Sequence, residues 1–217
     1  WTLTEVEFTD GPYLSENTTT TTLTPASSGT GTGVNITASA ITGINGGAGF
    51  QTTDVGRIIS FNSGKAKITS RTNTTVVVVT ITTAFANTDA KTDWKLGAFS
   101  DTTGHPSCVS FFEQRLVFAG TTDEPQTLYF SKSGDYENMT TGTNADDAMV
   151  YTIASNQVNK IRYLKAVRTL LIGTTGGEFS VSADGTDAAV TPTNIQIRKQ
   201  SSFGAANVDA QPAGNAI

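Results

Sequence analysis

Among 217 residues there is one histidine, His105, and one cysteine, Cys108. They stand three positions apart in Gly104-His105-Pro106-Ser107-Cys108. Any Ser-His-Asp triad must use His105, and its Gly-His-Pro setting reads as a solvated turn instead. Cys108 opens an apolar stretch and reads as a buried side chain. A lone Cys forms no internal disulfide, and one Cys with one His falls short of the ligands of a structural zinc site. The acidic pairs Asp123-Glu124 and Asp146-Asp147 lack the Asp-x-Asp-x-Asp-Gly loop of a calcium site and read as solvated turns. Carboxylates on facing strands would suit a glycosidase, but with 19 acidic residues such pairs carry almost no specificity. Lys160, Arg162, Lys165 and Arg168 form the main basic cluster. The alternation Lys160-Ile161-Arg162-Tyr163 places its charges on an outer strand face with Ile161 and Tyr163 inward. Gly173-Thr174-Thr175-Gly176-Gly177 has neither the helix nor the Lys of a phosphate loop and reads as a hairpin turn. The expectation is no catalytic, cofactor-binding or metal-ligating residue, no cofactor, and no enzyme. Trp94, Tyr13 and Phe99 are the aromatic residues available to stack on sugar rings.

The elements that carry these residues are strands. Thr supplies 39 positions, a β-branched residue that disfavours helix interiors, so an all-β fold is expected. The net charge is −5, with six basic against eight acidic residues before His105 and eight against eleven after it. Neither half is a basic module of the kind that grips phosphates. No apolar run approaches the roughly 18 to 20 residues of a membrane span. Trp1 opens the chain without Met or a signal peptide, which reads as an excised or processed piece.

Residues 1–17 are acidic around the turn Asp10-Gly11-Pro12 and read as an extended arm. The Thr-rich run from Thr18, with Pro25 and the Ser/Gly segment to Gly33, reads as a turn region. Strand candidates follow at Val34–Ala40, Gly56–Asn62, Ala66–Arg71, Thr75–Thr83 and Trp94–Phe99, the spacing of a small barrel or sandwich. Val76-Val77-Val78-Val79 does not alternate, which predicts a strand covered on both faces, either by its own domain or by a neighbouring subunit. A polar, Gly-containing stretch closed by Pro106 marks a boundary. It separates a small β-barrel or sandwich domain with its N-terminal arm, residues 1–103, from propeller-like repeats at residues 104–217. The second part holds strand candidates Cys108–Phe112, Arg115–Gly120, Thr127–Ser131, Met149–Ile153, Ile161–Leu164, Thr169–Gly173, Glu178–Ser182 and Ile195–Lys199. Ala154–Lys160 has room for one helical turn.

Self-similarity is the strongest signal. Arg115-Leu116-Val117-Phe118-Ala119-Gly120-Thr121-Thr122 returns 53 residues later as Arg168-Thr169-Leu170-Leu171-Ile172-Gly173-Thr174-Thr175. Each copy is followed by a turn and an aromatic-bearing strand, with Tyr129 or Phe179. A β repeat of about 50 residues is the pattern of propeller blades, here about two, truncated, with a third beginning near Pro212.

Through Gly104-His105-Pro106-Ser107, Phe111 through Gly120, Pro125-Gln126-Thr127, Ser131 through Asn138 and Ile195 through Gly204, the segment from Gly104 resembles the tail nozzle, or tail tubular, proteins of short-tailed bacteriophages and prophages. Asp10 through Leu14, Asp54-Val55-Gly56-Arg57 and Trp94-Lys95-Leu96-Gly97 extend it more loosely. The resemblance implies a virion structural protein, made in the bacterial cytoplasm and built into the phage tail. There it is a subunit fragment of a nozzle ring around the channel used for DNA ejection. Its implied partners are other copies of itself in a ring and neighbouring tail proteins. Phage DNA passes without specific binding, and no membrane span is implied. The isolated chain is expected to be mainly monomeric and to associate weakly as it is concentrated. The alternative is a carbohydrate-recognition module that contacts a cell-surface glycan through Trp94, Tyr13 and Phe99.

Overall fold

A computed structural model describes residues 8–154, 158–185, 188–208 and 210. The fold is all-β, with two short 3-10 turns, Asn45–Gly47 and Thr52–Asp54, and no α-helix among the described residues. The expected entry into a third repeat near Pro212 lies outside the described residues, as do residues 1–7 of the arm and the middle of the helical turn expected at Ala154–Lys160. The chain divides into two compact units, one of Pro12–Gly104 and one of residues up to Gly11 together with His105 onward.

The Pro12–Gly104 unit is a curled half-barrel sheet of six antiparallel strands. These are β1 (Leu23–Pro25), β2 (Gly31–Ala38), β3 (Ile58–Phe61), β4 (Gly64–Asn73), β5 (Val76–Thr83) and β6 (Lys95–Leu96), in the order β1-β2-β5-β4-β3-β6. Three register shifts between β4 and β5 bend the pair, because each extra residue increases local twist. The hairpin from β3 to β4 turns through Asn62 and Ser63, both left-handed at φ 47° and 62°, the conformation that matches strand twist. Gly64 follows because Phe85 packs directly over it, leaving no room for a Cβ.

Two expectations for this unit need correction. The Thr/Ser/Gly stretch before Val34 is not wholly a turn region, since it supplies β1 and the start of β2; Pro25 fits there because β1 is an edge strand. Nor does its own domain cover the valine run on both faces. Val77, Val79 and Ile81 are buried, while Val76 and Val78 are only half-buried, because the curled sheet encloses a single core.

The second unit holds two four-stranded antiparallel sheets, each a simple meander. The first is β7 (Cys108–Phe112), β8 (Arg115–Ala119), β9 (Thr127–Phe130) and β10 (Met149–Thr152). The second is β11 (Ile161–Ala166), β12 (Leu170–Thr174), β13 (Gly177–Ala183) and β14 (Ile195–Ser201). One apolar cluster joins them, with Val117, Leu128 and Phe130 from the first sheet and Ile172, Phe179 and Val181 from the second. The two copies of the repeat are β8 and β12, each the second strand of its sheet. Their registers agree: Ala119 pairs with Leu128 as Ile172 pairs with Phe179. The equivalent of Phe179 is thus Leu128, and Tyr129 points to the opposite face.

The end of the arm also belongs to this unit. Asp10 bridges in parallel to Asn138, the Thr9 amide donates to Glu137 O at 2.9 Å, and the Met139 amide donates to Asp10 O at 2.8 Å.

Candidate interaction surface

The residue types with chemical potential are dispersed or structurally engaged. His105 is exposed where the chain enters the second unit. Cys108 is buried, its Sγ 3.9 Å from Ile161 O. Asp123 is exposed, and Glu124 accepts a hydrogen bond from Thr127 Oγ1 at 2.6 Å. Among the described residues no three His, Cys, Asp or Glu side chains gather as a metal site would require. In the basic cluster a β-bulge after Ile161 breaks the expected alternation. Ile161 is buried in the core, whereas Tyr163 lies on the other face, beside Gly173. Trp94 is 3% exposed and donates from Nε1 to Thr21 O at 2.8 Å. Its ring is therefore not free to stack on a sugar, and the glycan alternative loses its main residue.

Two buried arginines do structural work that their residue type does not announce. Arg57 donates from Nη1 to Asp54 Oδ1 at 3.0 Å and to Asn45 Oδ1 at 2.7 Å, and from Nε to Gly97 O at 2.6 Å. Asp54 also accepts from the Gln51 amide, Asn45 Nδ2 and Thr102 Oγ1, each at 2.7 Å. Asp54-Val55-Gly56-Arg57 is thus a buried ion pair that ties loops of the first unit together.

Arg115 plays the corresponding part in the second unit. It is 2% exposed and donates to the carbonyls of Ser131 (2.8 Å), Asp147 (2.7 Å) and Ala145 (2.5 Å). Burial pushes the guanidinium below its ordinary pKa, while Asp146, Glu113 and Asp147 act in the opposite direction. The loop it holds is pinned again by Lys132, whose ammonium lies 3.0 Å from Asp147 Oδ1. That hydrogen bond, with the Asn144 amide, holds the Asp147 carboxyl below the ordinary range.

The clamped loop presents Tyr136 edge-on to Phe111, with ring centroids 5.2 Å apart. Phe111 belongs to the outer face of the first sheet, the face turned away from the shared core. Strand register places Val109, Phe118, Tyr129 and Val150 in one row across it, with Phe111 and Leu116 in the next. Phe8 meets Phe118 in a T-shaped contact at 5.8 Å. Even so, Phe111 is 60% exposed and Val109 58%. Tyr129, in the middle of its row, is 1% exposed, so the open part of the face is the apolar group Val109, Phe111 and Val150, which marks a contact surface.

The outer face of the second sheet has a different character. One cross-strand row reads Lys165, Leu171, Ser180 and Arg198, beside Tyr163 and Gly173 in the next. Gln200 donates to Ser180 Oγ at 2.7 Å, and Ser201 Oγ donates to Glu178 at 2.7 Å. A cleft of about 700 Å³ lies in this unit, lined by Tyr151, Ile153, Asn159, Phe179, Ile195 and Lys199 among others. The Tyr151 hydroxyl donates to Pro192 O at 2.7 Å. With an apolar floor and a single ammonium, the cleft suits packing rather than proton transfer.

No protein-family model matches the chain, and no curated protein matches its sequence.

Proposed function

We propose that this chain is a structural part of a phage-tail nozzle, with its two four-stranded sheets serving as successive propeller-like blades. One observation carries the reading. The 53-residue repeat falls on the same strand of two successive four-stranded meanders that share a core. The first strands of the two sheets also run close together, with Cys108 Sγ near Ile161 O and the Ile161 amide bonded to Pro125 O at 3.0 Å. In a propeller, four-stranded blades of this kind repeat radially around a central channel. The reading assigns the chain no reaction and no cofactor. Its partners are further copies in a ring and adjoining tail proteins, in a virion whose DNA passes without being gripped. The overall acidic charge supports that last point, since clustered cations would hold phosphates.

Electron microscopy of the virion protein that contains this chain, with an antibody fragment marking Phe111–Asn138, tests the proposal. Rings carrying the label at the tail tip are expected. Absence of the label from purified virions would overturn it.

A further inference from the structure

We propose that the apolar outer face of the first sheet docks head-to-tail on the basic outer face of the second sheet of another copy. From the proposed function this takes only that the occupant is a second copy; the faces themselves come from the geometry.

The apolar face exposes Val109, Phe111 and Val150 beside the half-buried Leu116 and the Phe118 ring that Phe8 packs on, and its flanks are acidic. Asp123 and Glu124 lie close enough to Tyr129 to raise its phenol pKa, after the larger effect of burial. Asp135 and Glu137 flank Tyr136, whose ring packs on Phe111. From His105 to Thr152 the chain has two basic against seven acidic residues. The second sheet is opposite in sign: from Val158 to Val208 the chain has six basic against three acidic residues.

Its outer face offers Leu171 and then Ser180 in the row between Lys165 and Arg198, long stems of a kind that cover apolar surface while keeping their charged ends in water. Two first-sheet faces meeting each other would bring acidic flanks together. A first-sheet face meeting a second-sheet face would set acidic flanks against Lys165 and Arg198, the complementary arrangement. Because the two faces are different surfaces, the contact is heterologous. It propagates into a ring if its rotation closes and into a filament if it does not.

The test uses the whole chain and two variants, F111D and K165E/R198E, in sedimentation velocity. Both alter exposed or half-exposed side chains, and circular dichroism with thermal melts confirms that each is folded. The wild type is expected to form concentration-dependent oligomers that weaken with added salt. Each variant alone is expected to stay monomeric, with pairing weakened about thirtyfold or more, as loss of a central aromatic anchor does. Mixed together they should form a discrete one-to-one dimer, because F111D keeps an intact basic face and K165E/R198E an intact apolar one. A mixture that remains monomeric overturns the proposal, as does a wild type that never associates. K165E/R198E dimerising alone would also overturn it, by showing the apolar face pairing with itself. Rings or filaments of the wild type bear on the nozzle reading separately, since the one-to-one dimer does not depend on closure.

Discussion

The ring of Tyr163 lies across Gly173, occupying the space where a Cβ at that residue would stand. The repeat equivalent, Gly120, is a glycine for a different reason. It sits at φ +76°, and a Cβ there would come within 2.5 Å of Ser107 Oγ and 3.1 Å of Ile161 O. The two glycines align in sequence, yet one makes room for a neighbouring ring and the other allows a left-handed turn.

Gly173→Ala is expected to destabilise the second unit by about 1 to 3 kcal/mol through overpacking, and Tyr163→Ala should remove most of that added cost. Gly120→Ala is expected to cost about 1 to 2 kcal/mol from its left-handed backbone, in addition to the contact with Ser107 Oγ. Ser107→Ala should relieve only that contact and leave the backbone part. Urea unfolding of the four single and two double variants separates the cases; equal rescue at both sites would refute the distinction.

Arg115 donates to carbonyls on both sides of the loop it clamps, and only 2% of the residue is exposed. Arg115→Met should lose about 3 kcal/mol or more, since a bond to a charged group is worth about 1.5 to 3 and the carbonyls are left without donors. Arg115→Lys should recover only part, because an ammonium lacks the planar fork that reaches Ser131, Ala145 and Asp147 together. Hydrogen exchange should show the loss concentrated in residues 131–147.

Much of the strand layout was legible beforehand. Cys108–Phe112 matches its expected limits, most other strands differ by a residue or two, and β2 and β6 by up to three, because β-branched runs between Gly, Asn and Asp turns mark half-buried strands; β1 lies in a stretch that reads as a turn. The buried arginines were not legible as such. Arg and Asp normally mark surface, and only three-dimensional closure brings Gly97 and Thr102 to Arg57 and Asp54, or Asp147 to Arg115. The bulge that sends Tyr163 away from the side of Ile161 has no local signature either, since an extra residue in a strand leaves the composition unchanged. The type of Trp94 fits a sugar platform, the alternative reading, as well as a core; the hydrogen bond that satisfies its indole inside the core comes from Thr21, 73 residues away.

Asp147 supplies an acid-dependent term. Its folded pKa lies below the ordinary value, chiefly through Lys132. The contribution is therefore complete above the unfolded carboxyl pKa of about 3.9 and is lost as pH falls through the lower folded value. Asp147→Asn should reduce stability at neutral pH and flatten the acid limb of a stability-versus-pH curve. Parallel curves for variant and wild type would count against the assignment.

Tyrosines supply the alkaline limb. Burial raises the phenol pKa of Tyr129, Tyr151 and Tyr163, with Glu124 and Asp123 adding to Tyr129 and Glu178 to Tyr163. The neutral phenols favour the folded state fully below the unfolded pKa of about 10, and that contribution disappears as pH rises beyond it. Absorbance titration should show these tyrosines ionising late and together with unfolding. Tyr129→Phe should move the alkaline midpoint upward.

The Pro12–Gly104 unit should fold when excised. It has its own core, including Leu23, Ile36, Phe50, Ile59, Val79 and Trp94, and its ends lie side by side: the Ala98 amide donates to Pro12 O at 2.8 Å, and Tyr13 bridges to Gly97. A segment with adjacent ends and a private core has the anatomy of an inserted domain. The stretch after Phe99 is part of that anatomy, since Thr103 is buried and donates to Ala98 O at 2.7 Å, while the Gly104 amide closes on Ser100 O at 2.7 Å. Limited proteolysis should therefore spare residues 100–104 and cut nearer exposed His105. Trp94 is the only tryptophan in the excised segment, so its emission reports this core alone. The segment should unfold in one cooperative transition, and Arg57→Met should lower its stability by about 3 to 5 kcal/mol, the usual cost of removing one member of a buried ion pair. A segment whose Trp94 emission is already that of a solvent-exposed indole without denaturant would show that the unit is not autonomous.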